Sequence, residues 1–327
     1  MTKFTVDILG RAAFGHDFKC VSDEPEAIAD LYGSLRRRMT RPFPLFLNFV
    51  SGFGLWDRLP LKSNADFKRE ADAFRAFLQD IVAERRREKK SPSSTTKKKK
   101  DLLQLMVDGF ADGESLSDRE FIDNLTIFFL AGHDTTATSL AMALLLLAHH
   151  PQVQGRARRE VAEATASEKD DYDAQKHMPF LTNVIRETLR LFPPVASIPP
   201  RRATRACVLP FSDGSKVHIA RGQRVTVAVY SSHLNPKNFH RPDLFDPDRF
   251  TDEPPPPFAW IPFGGATRIC IGQHFSLIEQ RMFLADILRR FTLEPITSMQ
   301  EANDNFHGPG LLLHPRNILV RFLERHD

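Results

Sequence analysis

The feature that most constrains the fold is a long, almost uninterrupted apolar segment between residues 117 and 150. It opens with a capping box, in which Ser117 is the N-cap and Glu120 is the N3 residue. Pro151 ends it, because proline cannot continue a helix. About 33 residues at 1.5 Å each give a helix of roughly 50 Å. Residues 125–148 are apolar on nearly every face, so we expect this helix to be buried throughout.

The same segment is long enough to cross a lipid bilayer. Its middle, however, carries His133, Asp134 and Thr135. A single aspartate at the bilayer centre costs about 2.5–3.5 kcal/mol on insertion scales. The flanks also lack an aromatic belt and a basic asymmetry. We therefore predict a central core helix rather than a membrane span.

Composition excludes several classes of protein. The three cysteines, Cys20, Cys207 and Cys270, form no CxxC pair, which argues against a disulfide scaffold and a structural zinc site and suits a reducing compartment. A net charge of +4 is too small to predict nucleic-acid binding. The N-terminus has no apolar run typical of a signal peptide. No G-x-G-x-x-G follows a predicted strand, so no flavin or nicotinamide site is expected.

The pattern before Leu191 is mostly helical. It predicts helices at residues 4–14, 24–38, 64–87 and 179–192. Residues 39–61 are interrupted by Pro and Gly and should form a loop. The apolar patch at residues 43–49 either packs in the fold or touches a membrane or a partner. By composition, the basic linker 85–100 is expected to be disordered.

The character of the chain changes after Leu191. Short strands are predicted at residues 201–209, 216–220 and 223–230, followed by a Pro-rich segment without periodicity. Residues 273–290 have the spacing of a helix, and the tail 311–322 that of two strands. We therefore expect a mainly α fold with a small β region, forming one domain over residues 1–327.

A Gly-rich loop, residues 263–272, places Cys270 just before the start of this helix. Glycines allow the backbone to approach a flat cofactor closely. The free N–H groups of a helix N-terminus favour an anionic sulfur, and Arg268 offers a fixed cation for a carboxylate. The alternative is a buried, inert cysteine.

Two further segments carry candidate functional residues. Glu187 and Arg190 lie at i, i+3 on one helix face, which alone describes an ordinary surface pair. Residues 131–136 place a Gly and an Asp-Thr pair inside the central helix, where their propensities are poor. Such local violations often mark function. Alternatively, the threonines bond back to the i−4 carbonyls.

The three segments, residues 131–136, 187–190 and 263–272 in chain order, resemble the signatures of the cytochrome P-450 family. These are haem-thiolate monooxygenases, and the resemblance is to the eukaryotic microsomal type. Phe263, Arg268, Cys270 and Gly272 match the cysteine-loop pattern F-x-x-G-x-R-x-C-x-G. Ala266 stands where the family has its middle glycine, and a methyl group is tolerable there if the residue does not need a positive φ.

The resemblance implies a role for each residue of the haem site. Cys270 would be the thiolate ligand of the haem iron, with Phe263, Arg268 and Gly272 in the same haem-binding loop. Arg201 resembles the strand arginine that pairs with a haem propionate, and Arg202 competes for that role.

The other two segments resemble family motifs as well. In the central helix, Ala131 and Gly132 would lie at the haem, and Gly132 would leave room for O₂. Asp134 and Thr135 would order water and relay protons, whereas His133 would only pack. Glu187, Arg190 and the Arg249 of Pro247–Phe250 would form a buried structural network.

The resemblance also implies a function. It is the insertion of one oxygen atom of O₂ into a small, lipophilic organic substrate, with electrons from a separate NADPH-dependent reductase. The resemblance begins in the middle of the family fold, so we expect this chain to form the C-terminal part of such a fold. Family members of this type act at the endoplasmic reticulum membrane; without an anchor the chain would be cytoplasmic or touch a membrane surface. The alternatives are a truncated, haem-binding but non-catalytic remnant and a haem-free helical interaction protein.

Overall fold

The computed structural model describes residues 1–22, 28, 31–35, 59, 61–89, 100–109, 117–168, 170–211, 213–252, 255–307 and 312–325. They form two units, Met1–Thr138 and Ser139–Asp327. The apolar patch 43–49, most of the loop 39–61 and most of the helix predicted at 24–38 lie outside the described residues.

Helices dominate the described part of the chain. In order they are α1 (Thr2–Leu9), α2 (Lys62–Lys89), α3 (Leu102–Gly109), α4 (Asp118–His149), α5 (Pro151–Ser167), α6 (Asp171–Ala174), α7 (Pro179–Leu191), α8 (Val229–His233), α9 (Arg249–Asp252), α10 (Gln273–Arg290) and α11 (Met299–Asn305). A π-helical turn, Gly10–Phe14, extends α1. Short 3₁₀ turns cover Gln175–His177 and Ala266–Arg268.

The strands are short, and within the described residues they form only two-stranded antiparallel sheets. They are β1 (Arg201–Arg202), β2 (Cys207–Pro210), β3 (Lys216–Ile219), β4 (Arg224–Val225), β5 (Phe291–Pro295), β6 (Phe306–His307), β7 (His314–Pro315) and β8 (Val320–Glu324). The pairs are β1–β4, β2–β3, β5–β8 and β6–β7. The predicted mainly α fold with a small β region is confirmed.

Two predicted strands differ from the structure. Residues 201–209 divide into β1 and β2, and of residues 223–230 only Arg224–Val225 is a strand. The end of the latter segment instead begins helix α8, whose Ser232 N–H donates to the Ala228 carbonyl at 3.0 Å. The β-branched residues there favour a strand locally, but the backbone bonds of the fold override that preference.

Helix α4 begins as the sequence predicts. The Ser117 N–H donates to Glu120 Oε2 at 2.8 Å, and the Glu120 N–H donates to Ser117 Oγ at 3.3 Å, which completes the capping box. The helix ends at His149, and Pro151 opens α5 at its first turn.

The burial of α4 is less complete than predicted. Ile127 is 53% exposed and Ala131 is exposed as well, so the N-terminal half has one open stripe. This helix has the length and apolarity of a membrane span, but 72% of its most apolar window is buried within the fold. That burial is typical of a core helix, as predicted.

Helix α2 continues to Lys89, into the segment predicted as a disordered linker. Arg85 pairs there with Asp101 at 2.8 Å, and both side chains are mostly buried. The linker prediction is therefore wrong for residues 85–89, because an ion pair anchors the end of the helix. Residues 90–99 lie outside the described part of the chain.

Each unit has its own apolar core. In Met1–Thr138 the Phe129 ring is central, with the rings of Phe18, Tyr32 and Phe74 at centroid distances of 5.3, 4.8 and 5.1 Å. In Ser139–Asp327 a cluster joins α4, α7 and α11, and its buried members are Met142, Leu145, Leu146, Leu191, Phe192, Ala302 and Phe306.

Helix α10 carries a buried acid. Glu279 is only 7% exposed, and neither carboxyl oxygen has a hydrogen-bond partner among the described residues. Burial raises the pKa of Glu279 from 4.5 to about 8. The folded chain therefore keeps this carboxyl group protonated at pH values where the unfolded chain ionises it.

This difference predicts a pH-dependent stability that Glu279→Gln should abolish. Between pH 4.5 and 8 the folded state holds the extra proton, so the free energy of unfolding should decrease as pH rises. The slope contributed by one group is at most about 1.4 kcal/mol per pH unit. Urea unfolding at several pH values measures it. The exposed Glu163→Gln is the control, and an unchanged slope in Glu279→Gln would contradict the prediction.

Candidate functional site

The Cys270 loop is a closed backbone turn at the start of a helix. The Cys270 N–H donates to the Phe263 carbonyl at 2.9 Å, and the Gly264 N–H donates to the Ile261 carbonyl at 3.0 Å. Helix α10 follows three residues later, with Gly272 as its N-cap. The sequence therefore holds the sulfur in a defined turn just before a helix N-terminus.

The thiol itself is open to solvent. Cys270 is a free, exposed cysteine, flanked by Ile269 at 53% and Ile271 at 84% exposure. A buried, inert cysteine, the alternative that the sequence leaves open, would lie inside the core instead. The loop presents a free thiol between two exposed apolar side chains.

Ala266 lies in the left-handed region, with a φ of +55°. The condition stated from the sequence, that its methyl group is tolerable if φ is not positive, is therefore not met. A left-handed conformation costs an L-residue about 1–2 kcal/mol. Gly264 also has a positive φ, +74°, but carries no Cβ and takes no such strain.

Glu187 and Arg190 form a fully buried bidentate pair. The Arg190 Nε and Nη2 atoms donate to the two Glu187 oxygens at 2.7 and 2.8 Å, and both side chains are 0% exposed. The remaining guanidinium N–H groups of Arg190 donate to the carbonyl oxygens of His233, Pro242 and Leu244. The pair is therefore not the ordinary surface contact that its spacing alone describes.

Residues 234–262, which we call the meander, attach to this pair. Glu187 Oε1 accepts from the Arg249 Nε at 2.9 Å and from the Asp246 N–H at 3.0 Å. Arg249 in turn donates to the His240 carbonyl at 2.9 Å. The predicted network of Glu187, Arg190 and Arg249 is confirmed, and it fixes an irregular segment that has no secondary structure of its own over most of its length.

The central-helix motif lies in the other unit. Asp134 is buried, and the Thr135 hydroxyl donates to the Ala131 carbonyl at 3.0 Å, as the structural alternative requires. A Cβ on Gly132 would lie 3.0 Å from Leu9 Cδ1, so this glycine allows helix α1 to pack closely. Leu9 thus accounts for the small residue here, a packing reason that the sequence did not indicate.

His133 is buried beside aromatic rings. Its ring lies 4.8 Å from that of Tyr32 and 5.4 Å from that of Phe129, and Nδ1 is 2.6 Å from the Phe129 carbonyl. The prediction that His133 packs rather than binds a ligand agrees with these contacts.

The two candidate propionate partners lie side by side in β1. Arg201 pairs with Val225 and Arg202 with Arg224 in the antiparallel ladder, and both arginines are exposed. Arg268 is exposed at the end of the Ala266–Arg268 turn. The roles of Arg201 and Arg268 toward a carboxylate remain predictions.

Two residues that hold the segment before the loop were not predicted from the sequence. Trp260 Nε1 donates to the Arg186 carbonyl at 3.0 Å, and its ring packs edge-on against Phe263 at 6.1 Å. The buried His233 accepts from the Ile261 N–H at 2.9 Å. Both lie where the sequence shows no periodicity, so no pattern pointed to them.

The buried pair predicts a large cost for removing its negative charge. Glu187→Gln leaves Arg190 buried without a counter-charge, which should lower the free energy of unfolding by about 3–5 kcal/mol. Urea unfolding measures this, with Asp171→Asn as control. That substitution removes an exposed partner of Arg289 and should cost no more than about 1 kcal/mol. Equal losses in the two variants would contradict the prediction.

The strain at Ala266 predicts a stabilising substitution. Ala266→Gly removes the strain of a Cβ in a left-handed conformation but adds backbone freedom to the unfolded chain. The free energy of unfolding should therefore rise by about 0.5–1 kcal/mol. Thermal unfolding at fixed pH measures the gain. Ala203→Gly, at a residue without positive φ, should instead lose about that amount. A loss in both variants would show that Ala266 is unstrained.

Comparison with known proteins agrees with these motifs. The sequence model of the family described as Cytochrome P-450 matches residues 1–322. Cytochrome P-450 4F6 of Rattus norvegicus is 33% identical over 310 residues, which cover 89% of this chain and 55% of that protein. Leukotriene-B4 omega-hydroxylase 3 of Mus musculus is likewise 33% identical over 310 residues, covering 89% of this chain and 56% of its own. The chain thus spans little more than half the length of these relatives, and it belongs to the cytochrome P-450 family.

Proposed function

We propose that this chain is the haem-carrying part of a monooxygenase that inserts one oxygen atom of O₂ into an organic substrate. The observation that carries the proposal is the Cys270 loop. An exposed free thiol lies in a closed turn just before a helix N-terminus, in a chain of the cytochrome P-450 family.

The residues at the loop fit a thiolate-ligated haem. Cys270 would supply the sulfur ligand, and the exposed Ile269 and Ile271 offer apolar contacts suited to a flat porphyrin. A Cβ on Gly272 would lie 3.9 Å from the Cys270 sulfur, so this glycine leaves space beside it. When bound, haem would supply the activation of O₂. A thiolate ligand favours that chemistry because it pushes electron density toward O–O cleavage.

Two arginines and one aromatic side chain complete the proposed cofactor site. Arg201, or its neighbour Arg202, and Arg268 are exposed cations suited to the haem carboxylates. Phe263 would support the loop, and its edge-on contact with Trp260 favours that role.

In the central helix, Asp134 and Thr135 would order water and relay protons, while Ala131 and Gly132 would lie nearest the cofactor. Two observations support this assignment. Ala131 belongs to the exposed stripe of α4, and Asp134 is a buried acid within a largely apolar helix. The Thr135 hydroxyl already donates to the Ala131 carbonyl, so a proton relay requires it to turn away from that oxygen.

The substrate is proposed to be a small lipophilic molecule. A relative named leukotriene-B4 omega-hydroxylase 3 supports a lipid-like class. Electrons would come from a separate NADPH-dependent reductase, because the sequence has no dinucleotide-binding fingerprint. The endoplasmic reticulum membrane is the proposed location, with a membrane surface as a further contact, and no nucleic-acid partner is proposed.

A second candidate is a haem-binding chain without turnover. The observation that favours it is the bond from the Thr135 hydroxyl to the Ala131 carbonyl, which engages the hydroxyl that a proton relay would use. The two candidates differ in whether the haem-loaded chain, supplied with NADPH and a reductase, converts any lipophilic substrate.

The first test is the absorption spectrum of the reduced, CO-bound chain after haem addition, for the wild type and Cys270→Ala. We expect the red-shifted Soret band of thiolate-ligated haem in the wild type and its loss in the variant. Cys207→Ala, which removes the other exposed free cysteine, is the matched control and should keep the band. A wild-type band of the histidine-ligated type, or no haem at all, would overturn the proposal.

A further inference from the structure

His233 is a buried histidine at the end of helix α8, 0% exposed, that bonds to backbone on both sides of its ring. Nε2 lies 2.9 Å from the Ile261 nitrogen, and Nδ1 lies 3.2 Å from the Arg190 carbonyl oxygen. The Ile261 N–H can only donate, so Nε2 must be the accepting nitrogen. The ring proton therefore lies on Nδ1, where it donates to Arg190.

The surroundings keep this ring neutral. Burial lowers the pKa of His233 to about 4, and the adjacent Arg190 cation acts in the same direction. Arg190 also donates to the His233 carbonyl at 3.0 Å, so a second positive charge on the ring would lie beside the first. One donor and one acceptor nitrogen, in fixed order, are thus maintained at neutral pH.

The ring bonds two backbone groups, the Arg190 carbonyl and the Ile261 N–H, at the ends of two different segments. The Arg190 carbonyl belongs to the last turn of α7, whose carbonyl groups have no partner within the helix. Ile261 precedes the Cys270 loop, and its own carbonyl accepts from the Gly264 N–H inside that loop. The ring therefore joins the end of the Glu187–Arg190 helix to the entry of the loop.

We propose that His233 is a positioning residue for the Cys270 loop, acting through the Ile261 N–H. It sets where the loop begins, while the Cys270 N–H bond to the Phe263 carbonyl closes the turn that carries the sulfur. The spectroscopic consequence of this inference rests on the proposed function, whereas its effect on the backbone does not.

Two substitutions separate the two bonds of the ring. In His233→Asn, the amide nitrogen can take the place of Nδ1 and keep the bond to Arg190, but no atom reaches the Ile261 N–H. In His233→Gln, the longer side chain can place its carbonyl oxygen near the site of Nε2 and accept from Ile261. His149→Asn is the control, since the His149 ring bonds to the Thr297 carbonyl and not to the loop segment.

The experiment measures amide hydrogen exchange at Ile261 and residues 263–270 in the full chain, and the CO-bound spectrum after haem addition. We expect His233→Asn to speed exchange at Ile261 by roughly tenfold or more, the effect of leaving one buried donor unsatisfied. In the spectrum, we expect it to shift haem from the thiolate-type band toward a band without thiolate. His233→Gln and His149→Asn should both stay near the wild type.

Equal losses in the Asn and Gln variants, or wild-type exchange and spectra in His233→Asn, would overturn the inference. If the wild type gives no thiolate band while His233→Asn still speeds exchange in the loop, the proposed function fails and the positioning of the loop by His233 stands. The two failures are therefore distinguishable in one set of samples.

Discussion

The buried ion pair of Glu187 and Arg190 is the interaction on which the second unit depends. Removing two charges from water costs several kcal/mol per ion, and only complete hydrogen bonding offsets that cost. Here every guanidinium N–H group of Arg190 has an acceptor, and three of the acceptors are carbonyl oxygens, those of His233, Pro242 and Leu244. The meander lacks the regular backbone hydrogen bonds of a helix or sheet over most of its length. The hydrogen bonds from this ion pair therefore fix its conformation.

The sequence could predict the members of this network but not its acceptors. The spacing of Glu187 and Arg190 places them on one helix face, and family resemblance added Arg249. The carbonyl oxygens that accept from Arg190 cannot be predicted from residue type, because every residue offers the same backbone carbonyl group. His233 and Trp260 escaped notice for a related reason: each acts on backbone at long sequence distance, from a region without periodicity.

The elements show the same division between local and tertiary causes. Helix α10 has the bounds that its periodicity predicts, and the capping box of α4 is formed as its residue types require. By contrast, residues 223–230 are rich in β-branched side chains and are predicted as a strand, yet the Tyr230 N–H donates to the Ala196 carbonyl and the chain turns into α8. Ala266 likewise matches its motif in position, but its positive φ is a property of the closed loop that residue type alone does not reveal.

The Cys270 turn is held between two fixed points. At its entry, the neutral His233 ring holds the Ile261 N–H, and the Trp260 indole holds the preceding residue against α7. At its exit, α10 is tied to α4 by the buried bond from Ser139 Oγ to Gln280 Oε1 at 2.6 Å. A charged network, a neutral ring and a helix-to-helix bond thus act on one short loop from different sides. The proposed role of Cys270 as a metal ligand requires the sulfur to keep its position while its surroundings fluctuate, and a sulfur supported only by flexible backbone would hold a cofactor poorly. Arg190, His233 and Gln280 are polar side chains buried in this unit, and each takes part in these contacts.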